Sequence, residues 1–504
     1  MSLLAVDIGS SACKAVVFAA SGQILASAAV SYTAEFPHPA HAEMDAANFW
    51  RAVCTCVQQV AKDLSDPVRA LCLSSHGETF VPVNACGEAV APAILNMDGR
   101  ATNEAAWIEK IFGRKKLFEI TGQVPHPSYT LLKILWLRKH QPEVFAAATR
   151  FVSVTDYILL QLGLPPYIDH SLASRFLAFD IRARRWSQEI LAAAELNEER
   201  LPIPVPAGTV AGQLTATVAG QLGLTSGIAV VIGGHDQPCG ALGTGVLETG
   251  HVMDSIGTYE CVLAATEAPS LQDAALAASL NTYCHVVPER YVTIAYFPSG
   301  IMMKWFHDLL YGNSATARAG QEKQNGGEAG HYAFLEANAP PGPTGLCVTP
   351  HLIGTCNPDF NPHARGVIAG LDPSTERTQI YKGILEGVAC ELAQMTDLLA
   401  KTVGEFQDIR VIGGGTRSLL GLKLRAALTG CRLHEMQCQE AVCLGGAILA
   451  GLAIGEFASI REAVDRLVHE GEVVTPDAAL AASYARQVRQ YRVVRAALSD
   501  IHDN

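Results

Sequence analysis

Charge is scarce in this chain of 504 residues, with Asp, Glu, Lys and Arg together only 17 %. Positive charge is the scarcer sign, 37 Lys plus Arg against 49 Asp plus Glu, for a formal net charge of −12. Such a field repels polyanions, and no basic cluster offsets it, which argues against nucleic acid as a partner. The 14 cysteines contain no C-x-x-C pair, and Cys54 and Cys56 lack Cys or His partners nearby, so reduced core thiols are expected rather than a zinc knuckle. His351 and His363 have no metal-ligand spacing either. The N-terminus lacks the cationic start and apolar stretch of a signal peptide, and the early Asp7 would sit poorly in one. The most apolar late run, residues 441–455, is about 15 residues long, short of the roughly 20 that span a bilayer. A cytoplasmic protein is expected. Hydrophobic residues make up 49 % of the sequence, enough for two large cores.

The most informative stretch is Leu3-Leu4-Ala5-Val6-Asp7-Ile8-Gly9-Ser10-Ser11-Ala12-Cys13-Lys14 and the apolar run after it. An apolar strand delivers a carboxylate, a glycine turn and hydroxyls, and a second apolar strand leaves. That order suits a hairpin facing phosphate, with the carboxylate available to a hydrated Mg²⁺; the alternative is an Asp that orders its own turn. A related string, Asp254-Ser255-Ile256-Gly257-Thr258-Tyr259-Glu260, begins just past the midpoint. Two such turns, one per half, predict a duplicated nucleotide clamp.

Between them lie the other candidates. A helix is expected after Asp45, with Asp45 as its cap. The run 68–73 reads as a buried strand that delivers Ser74-Ser75-His76-Gly77-Glu78-Thr79 to its carboxyl end, where open α/β sheets place ligand groups. A hairpin-like passage over 82–94 leads to Asn96-Met97-Asp98-Gly99-Arg100, and Asp98 and Arg100 are expected to face a cleft. Helical patterns cover 131–140 and 155–162. The apolar run 227–232 ends in Gly233-Gly234-His235-Asp236-Gln237, where Asp236 suits either a general base for a hydroxyl attacking phosphorus or a helix N-cap. Glu78 and Gln237 suit a polyhydroxylated ligand. Residues 321–330, rich in Gly, Glu and Gln, read as a surface excursion. Late in the chain, Gly413-Gly414-Gly415 between strand and helix, and Gly445-Gly446, allow close backbone approach to a ligand.

These features together resemble the FGGY carbohydrate kinase family over nearly the whole chain. Ser128-Tyr129-Thr130-Leu131-Leu132-Lys133-Ile134-Leu135-Trp136-Leu137-Arg138-Lys139-His140 fits its first signature at every constrained position. The second appears as Gly366-Val367-Ile368-Ala369-Gly370-Leu371 and, after a spacer, Gln379-Ile380-Tyr381-Lys382-Gly383-Ile384-Leu385-Glu386. Gly383 departs from the usual Ala or Ser, a packing change costing up to about 1 kcal/mol of helix stability.

The resemblance implies an α/β fold of two ribonuclease-H-like domains of the actin and hexokinase type around an interdomain cleft. Residues 1–245 would form a mainly sugar-binding unit and 246–504 a mainly ATP-binding one. It implies Asp236 as the catalytic base, with His76, Glu78, Asp98, Asp236 and Gln237 around the substrate. The nucleotide would meet Asp7, Ser10, Ser11, Lys14, Gly257, Thr258, Gly300, Gly413, Gly414 and Gly415, with Asp7 toward Mg²⁺ and ATP as phosphoryl donor. A homodimer is implied as well. The substrate loops are mixed. His76-Gly77 looks xylulokinase-like, whereas Glu78-Thr79 and Asp236-Gln237 look closer to glycerol kinases. The expected reaction is transfer of the ATP γ-phosphoryl group to a primary hydroxyl of a small, xylulose-like ketose. The alternatives are a polyol kinase of glycerol or erythritol type, and an actin-like or chaperone-like ATPase acting on a protein partner.

Overall fold

The structure, a computed structural model, describes residues 2–62, 64, 66–312 and 327–502. Most of the expected 321–330 excursion therefore lies outside the described residues; from Gly327 the chain is helical, Gly327–Ala337.

The first half is built on β1 (Ser2–Ile8), β2 (Ala12–Ala19), β3 (Ile24–Ser31), β4 (Val68–Ser75), β5 (Val210–Gln213) and β6 (Ala229–His235), in the order β5-β6-β4-β1-β2-β3. β1, β4 and β6 are parallel, while β2, β3 and β5 join antiparallel. The second half repeats the plan with β7 (Val252–Ile256), β8 (Tyr259–Thr266), β9 (Asn281–Cys284), β10 (Tyr291–Pro298), β11 (Asp408–Ile412), β12 (Arg432–Met436) and β13 (Glu470–Val474). Their order is β9-β10-β8-β7-β11-β12-β13, again with parallel strands, β7, β11 and β12, beside an antiparallel hairpin. The two glycine hairpins thus occupy corresponding places, β1–β2 and β7–β8.

Strand residues are apolar on both faces because helices cover both. On the first sheet Leu4, Val6, Ile8 and Val17 pack against Phe49, Val53 and Val57 of α1 (Ala47–Ala61). Asp45 Oδ1 accepts from the Ala47 amide at 3.0 Å, at the expected start of that helix. Between β4 and β5 the chain inserts residues 80–201, with a core of its own around Phe80, Phe151, Phe176 and Trp186. Within it runs α2 (Thr130–His140), the expected signature helix, apolar and buried nearly all round.

The halves are joined by two helices. α3 (Asp236–Gly243) follows the first sheet but lays Ala241 on Met253 and Leu263 of the second. After α4 (Gly300–Tyr311), α5 (Arg377–Val403) covers the other face of the second sheet through Ile384, Val388 and Leu392. Then α6 (Ala441–Ala453), the apolar run too short for a membrane, packs on the first sheet against Leu3, Ala5, Phe18 and Cys72. α3 and α6 cross at glycines. A Cβ on Gly243 would lie 1.9 Å from the Ala441 carbonyl oxygen, and one on Gly445 2.0 Å from that of Cys239. Gly445 and Gly446 therefore serve helix packing; the expected approach to a ligand is corrected on that point. Gly383, the departure in the second signature, faces Leu346, whose Cδ1 a Cβ would meet at 3.1 Å. Among the described residues no helix is long and apolar enough to cross a membrane, and all 14 cysteines are free thiols.

Candidate active site

Strand register assembles the first wall of the site. Asp7 lies opposite Ser74 and Ile8 opposite Ser75 across β1 and β4, while Ser75 pairs with His235 across β4 and β6. Asp7, the 76–79 loop and Asp236 therefore emerge in one row at the carboxyl ends of three neighbouring parallel strands, the usual ligand edge of an α/β sheet. The second half forms its own row, Gly257–Thr258 after β7, Gly413–Gly415 after β11 and Gln439–Glu440 after β12.

The two glycine turns are alike but not superimposable in sequence. Gly9 N donates to the Ala12 carbonyl at 2.9 Å and Gly257 N to that of Tyr259 at 3.0 Å, so the second turn is one residue shorter. Strand alternation then puts Ser255, not Asp254, on the face that Asp7 occupies. Asp254 is fully buried without a hydrogen bond to either oxygen, and burial together with Glu260 pushes its carboxyl well up. Glu260 is held by Arg425 at 2.9 and 2.7 Å and by Ser299 Oγ at 2.7 Å. Gly257, Thr258 and Ser11 are exposed, and Ser10 is half-buried. Gly300 N donates to Gly257 O at 3.0 Å, and a Cβ on Gly300 would stand 2.5 Å from that oxygen. Gly300 thus buttresses the turn.

Asp7 accepts from Ser74 Oγ at 3.3 Å. Burial raises its carboxyl to about 6; Ser74 and Lys14 pull the other way, and Glu440 adds to the rise. Lys14, opposite Asp7 in the ladder, reaches across to Glu440 at 2.6 Å. Burial works against its charge, but the bond to Glu440 leaves the ammonium above its ordinary value. Gly413 N donates to Gln439 Oε1 at 3.0 Å. Gln439 and Glu440 therefore hold one group from each half, the Gly413 amide and the Lys14 ammonium. No cluster of three metal-ligating side chains occurs among the described residues, so a cation at Asp7 would draw its remaining ligands from phosphate and water, the usual Mg²⁺ arrangement.

Asp236 opens α3 with 24 % of its side-chain surface exposed. Burial lifts its carboxyl to about 8, Asp7 and Glu78 add to the rise, and the Gln237 amide and Arg175 oppose it. His235 Nδ1 lies 3.2 Å from Asp236 Oδ1, yet burial, Arg175 and His76 hold that imidazole well below its ordinary value, so the contact is no ion pair. The helix cap comes from His235, whose Nδ1 accepts from Gln237 N at 3.3 Å. Gln237 Oε1 is buried without a partner. A buried amide oxygen left unbonded is costly unless a ligand supplies the hydrogen.

The 76–79 loop is braced from below. His76 Nδ1 donates to Ile8 O at 2.8 Å, and burial keeps the ring neutral, so Nε2 is left to accept from Thr79 Oγ1 at 2.7 Å. Both nitrogens are used within the protein, which corrects the expected substrate contact: His76 ties the end of β1 to the 76–79 loop. Asp98 is corrected likewise. It is fully buried, and its oxygens accept from Arg100 at 2.8–3.0 Å and from Ala42 N at 2.6 Å. Asp98 and Arg100 face each other rather than a cleft. Glu78, in contrast, sits at the rim of a cavity of about 100 Å³ shared with His126, Ser128, Asn281 and Tyr296.

Local patterns gave no hint of Glu78's partner, Arg175, which lies 97 residues on. Its Nε donates to Glu78 Oε1 at 2.7 Å, Nη2 bonds the same oxygen, and Nη1 donates to Gln123 Oε1 at 2.8 Å. The guanidinium lies over the rings of Tyr129 and Tyr283, 5.3 and 5.0 Å from their centroids. Lys133 was visible as one charge inside an apolar helix but carried no expected role. Its ammonium donates to the carbonyls of Glu78 and Leu95 at 2.9 and 2.7 Å.

Residues 2–243 match the model of the FGGY family of carbohydrate kinases, N-terminal domain, and residues 252–454 that of its C-terminal domain. The xylulose kinase of Escherichia coli is 27 % identical over 494 residues, 97 % of each chain. Among solved structures, a ligand-bound xylulose kinase from Lactobacillus acidophilus superposes with a TM-score of 0.89 at 21 % identity, covering 100 % of this chain and 99 % of its own. A gluconate kinase from the same organism gives 0.88 at 21 % identity, covering 100 % and 99 %. At such identities the structures speak for the shared two-domain fold.

Proposed function

The chain belongs to the FGGY family of carbohydrate kinases, and on that premise we propose that it transfers the γ-phosphoryl group of ATP to a primary hydroxyl of a short ketose of the xylulose type. The reading rests above all on Asp236, a cleft carboxylate at the end of β6 beside the Asp7 hairpin and the unbonded oxygen of Gln237. Gln237 Oε1 accepts one substrate hydroxyl and the Glu78 carboxylate another, while the Asp236 carboxylate takes the proton of the attacking hydroxyl. Phosphoryl transfer is loose, so orientation of the two substrates provides most of the catalysis.

On the nucleotide side the half-buried Gly9 and Ser10 with the exposed Ser11, and the exposed Gly257 and Thr258, face the phosphates from opposite walls, with Gly413 to Gly415 beside the adenosine. Lys14 leaves Glu440 for a phosphate oxygen. Asp7 is the residue that would hold Mg²⁺; that ion supplies charge neutralisation on the phosphate oxygens. Its binding favours the ionised Asp7 that burial otherwise disfavours.

We place the division between the units at residues 245 and 246, and the protein in the cytoplasm as a homodimer. Light scattering on the eluted protein decides the oligomeric state. A polyol of glycerol or erythritol type is the second reading, favoured by the carboxylate at Glu78 and the amide at Gln237. The deciding experiment incubates the protein with ATP, Mg²⁺ and D-xylulose, L-xylulose, D-ribulose, glycerol, erythritol or gluconate, and identifies the phosphorylated product by mass spectrometry. A ketopentose should give the highest kcat/KM. Preference for glycerol or erythritol would replace it with the second reading, and preference for gluconate would refute both.

A further inference from the structure

Lys133 is fully buried in the first signature helix, and an ammonium is costly to bury unless its donors are satisfied. Among the described residues no carboxylate comes within ion-pairing distance of it. Instead its Nζ donates to three carbonyl oxygens, Leu95 at 2.7 Å, Glu78 at 2.9 Å and Ile94 at 3.5 Å. Those carbonyls belong to two segments distant from α2 in sequence, the loop that carries Glu78 and the end of the short strand Ala93–Ile94 that leads to Asn96 and Asp98. Burial lowers the ammonium to about 7, with Asp98 and Glu78 supporting the charge and Arg100 opposing it. A leucine here would leave those carbonyls without this donor, so the ammonium serves the segments it ties together.

The conformation of Glu78 shows what. Its φ is +58°, in the left-handed region that a residue with a side chain rarely adopts. The carbonyl that this conformation presents to α2 is caught twice, by Lys133 and by Thr130 Oγ1 at 2.8 Å. One turn of α2 thus supplies both donors, and Tyr129 next to them lies against the guanidinium of Arg175 that grips the Glu78 carboxylate. Backbone and side chain of Glu78 are fixed from the same helix end.

We propose that Lys133 is a positioning residue for the acceptor substrate: it holds the Glu78 backbone in its left-handed conformation and so aims the carboxylate at the acceptor, without contributing to nucleotide binding. The inference rests on the reading of Glu78 as an acceptor contact. It predicts that Lys133→Met raises the acceptor KM at least tenfold while kcat changes less than threefold and the ATP dissociation constant stays within twofold of native. Thr130→Val, which removes the weaker donor, should raise the acceptor KM two- to fivefold, and it stands in if Lys133→Met does not fold. Because Lys133 acts through Glu78, its effect should vanish in a Glu78→Gln background. Full additivity in that double-mutant cycle, or an equal loss of ATP affinity, would overturn the proposal and leave Lys133 a general stabiliser. An acceptor KM moved by Glu78→Gln but by neither Lys133→Met nor Thr130→Val would refute the positioning role alone. An acceptor KM unmoved by Glu78→Gln would remove the reading of Glu78 and the proposal with it.

Discussion

Replacing Asp236 by Asn probes the chemistry with the least disturbance of shape, since the amide keeps the oxygen that accepts from Gln237 N at 2.6 Å. The proton acceptor is lost, and general-base contributions of about 10²- to 10⁴-fold correspond to a barrier increase of roughly 3–5 kcal/mol. The pH profile should change too. With the carboxyl at about 8, only about one free molecule in ten carries the base at pH 7. Native kcat/KM should therefore climb through the neutral range and level off above pH 8. In the kcat profile that limb should lie lower, because cations at Asp7 offset the charge that helps lift Asp236. Stability moves in the opposite sense. The folded pKa lies above the unfolded one, so the folded state binds the extra proton, and the stability this gives below pH 4 is lost as pH rises to about 8. The full displacement would be about 6 kcal/mol. Since water reaches 24 % of the side chain, we expect about 2 kcal/mol. Asp236→Asn should thus melt increasingly above native between pH 5 and pH 8.5. Stopped-flow or coupled assay of ADP across that range, with melting curves alongside, measures both effects. Turnover within threefold of native, or a rising limb that survives in the Asn variant, would refute the assignment of Asp236 as base.

Arg175→Leu leaves the Glu78 carboxylate buried without its partner, so denaturant unfolding should show a loss of about 3–5 kcal/mol and the acceptor KM should rise more than tenfold. Lys14→Met frees Glu440 on the opposite wall; the KM for ATP should increase about tenfold while the acceptor KM holds, as initial-rate measurements would reveal. Gly445→Ala forces a methyl onto the Cys239 carbonyl oxygen at 2.0 Å; a loss of about 1–3 kcal/mol from overpacking is expected in a thermal melt, and native stability there would contradict the close helix crossing.

Much of this architecture was legible along the chain because its signals are local. An apolar strand, a carboxylate and a glycine turn occupy adjacent positions, so Asp7 and Gly9 could be read directly, as could the strand–glycine–helix order at Gly413. Asp236 was equally visible, although its competing role as helix cap fell to the preceding His235. What could not be read depends on side chains that meet only after folding. Nothing near Asp98 announces that Ala42, 56 residues earlier, will bind the carboxylate that Arg100 also holds, and nothing near His76 announces Ile8. Arg175 reaches Glu78 from the far side of the inserted segment. The apolar run in residues 441–455 carried a length argument against a membrane, but only the fold reveals that it closes the face of the opposite half's sheet.

The central claim is that the paired hairpins deliver a phosphoryl group to a sugar rather than to water. It is tested most directly by following ³¹P spectra of ATP and Mg²⁺ with the native protein, with and without D-xylulose. The account predicts one sugar phosphomonoester for each ADP formed, and negligible inorganic phosphate when the sugar is absent. ADP and inorganic phosphate appearing at the same rate in both samples would contradict it.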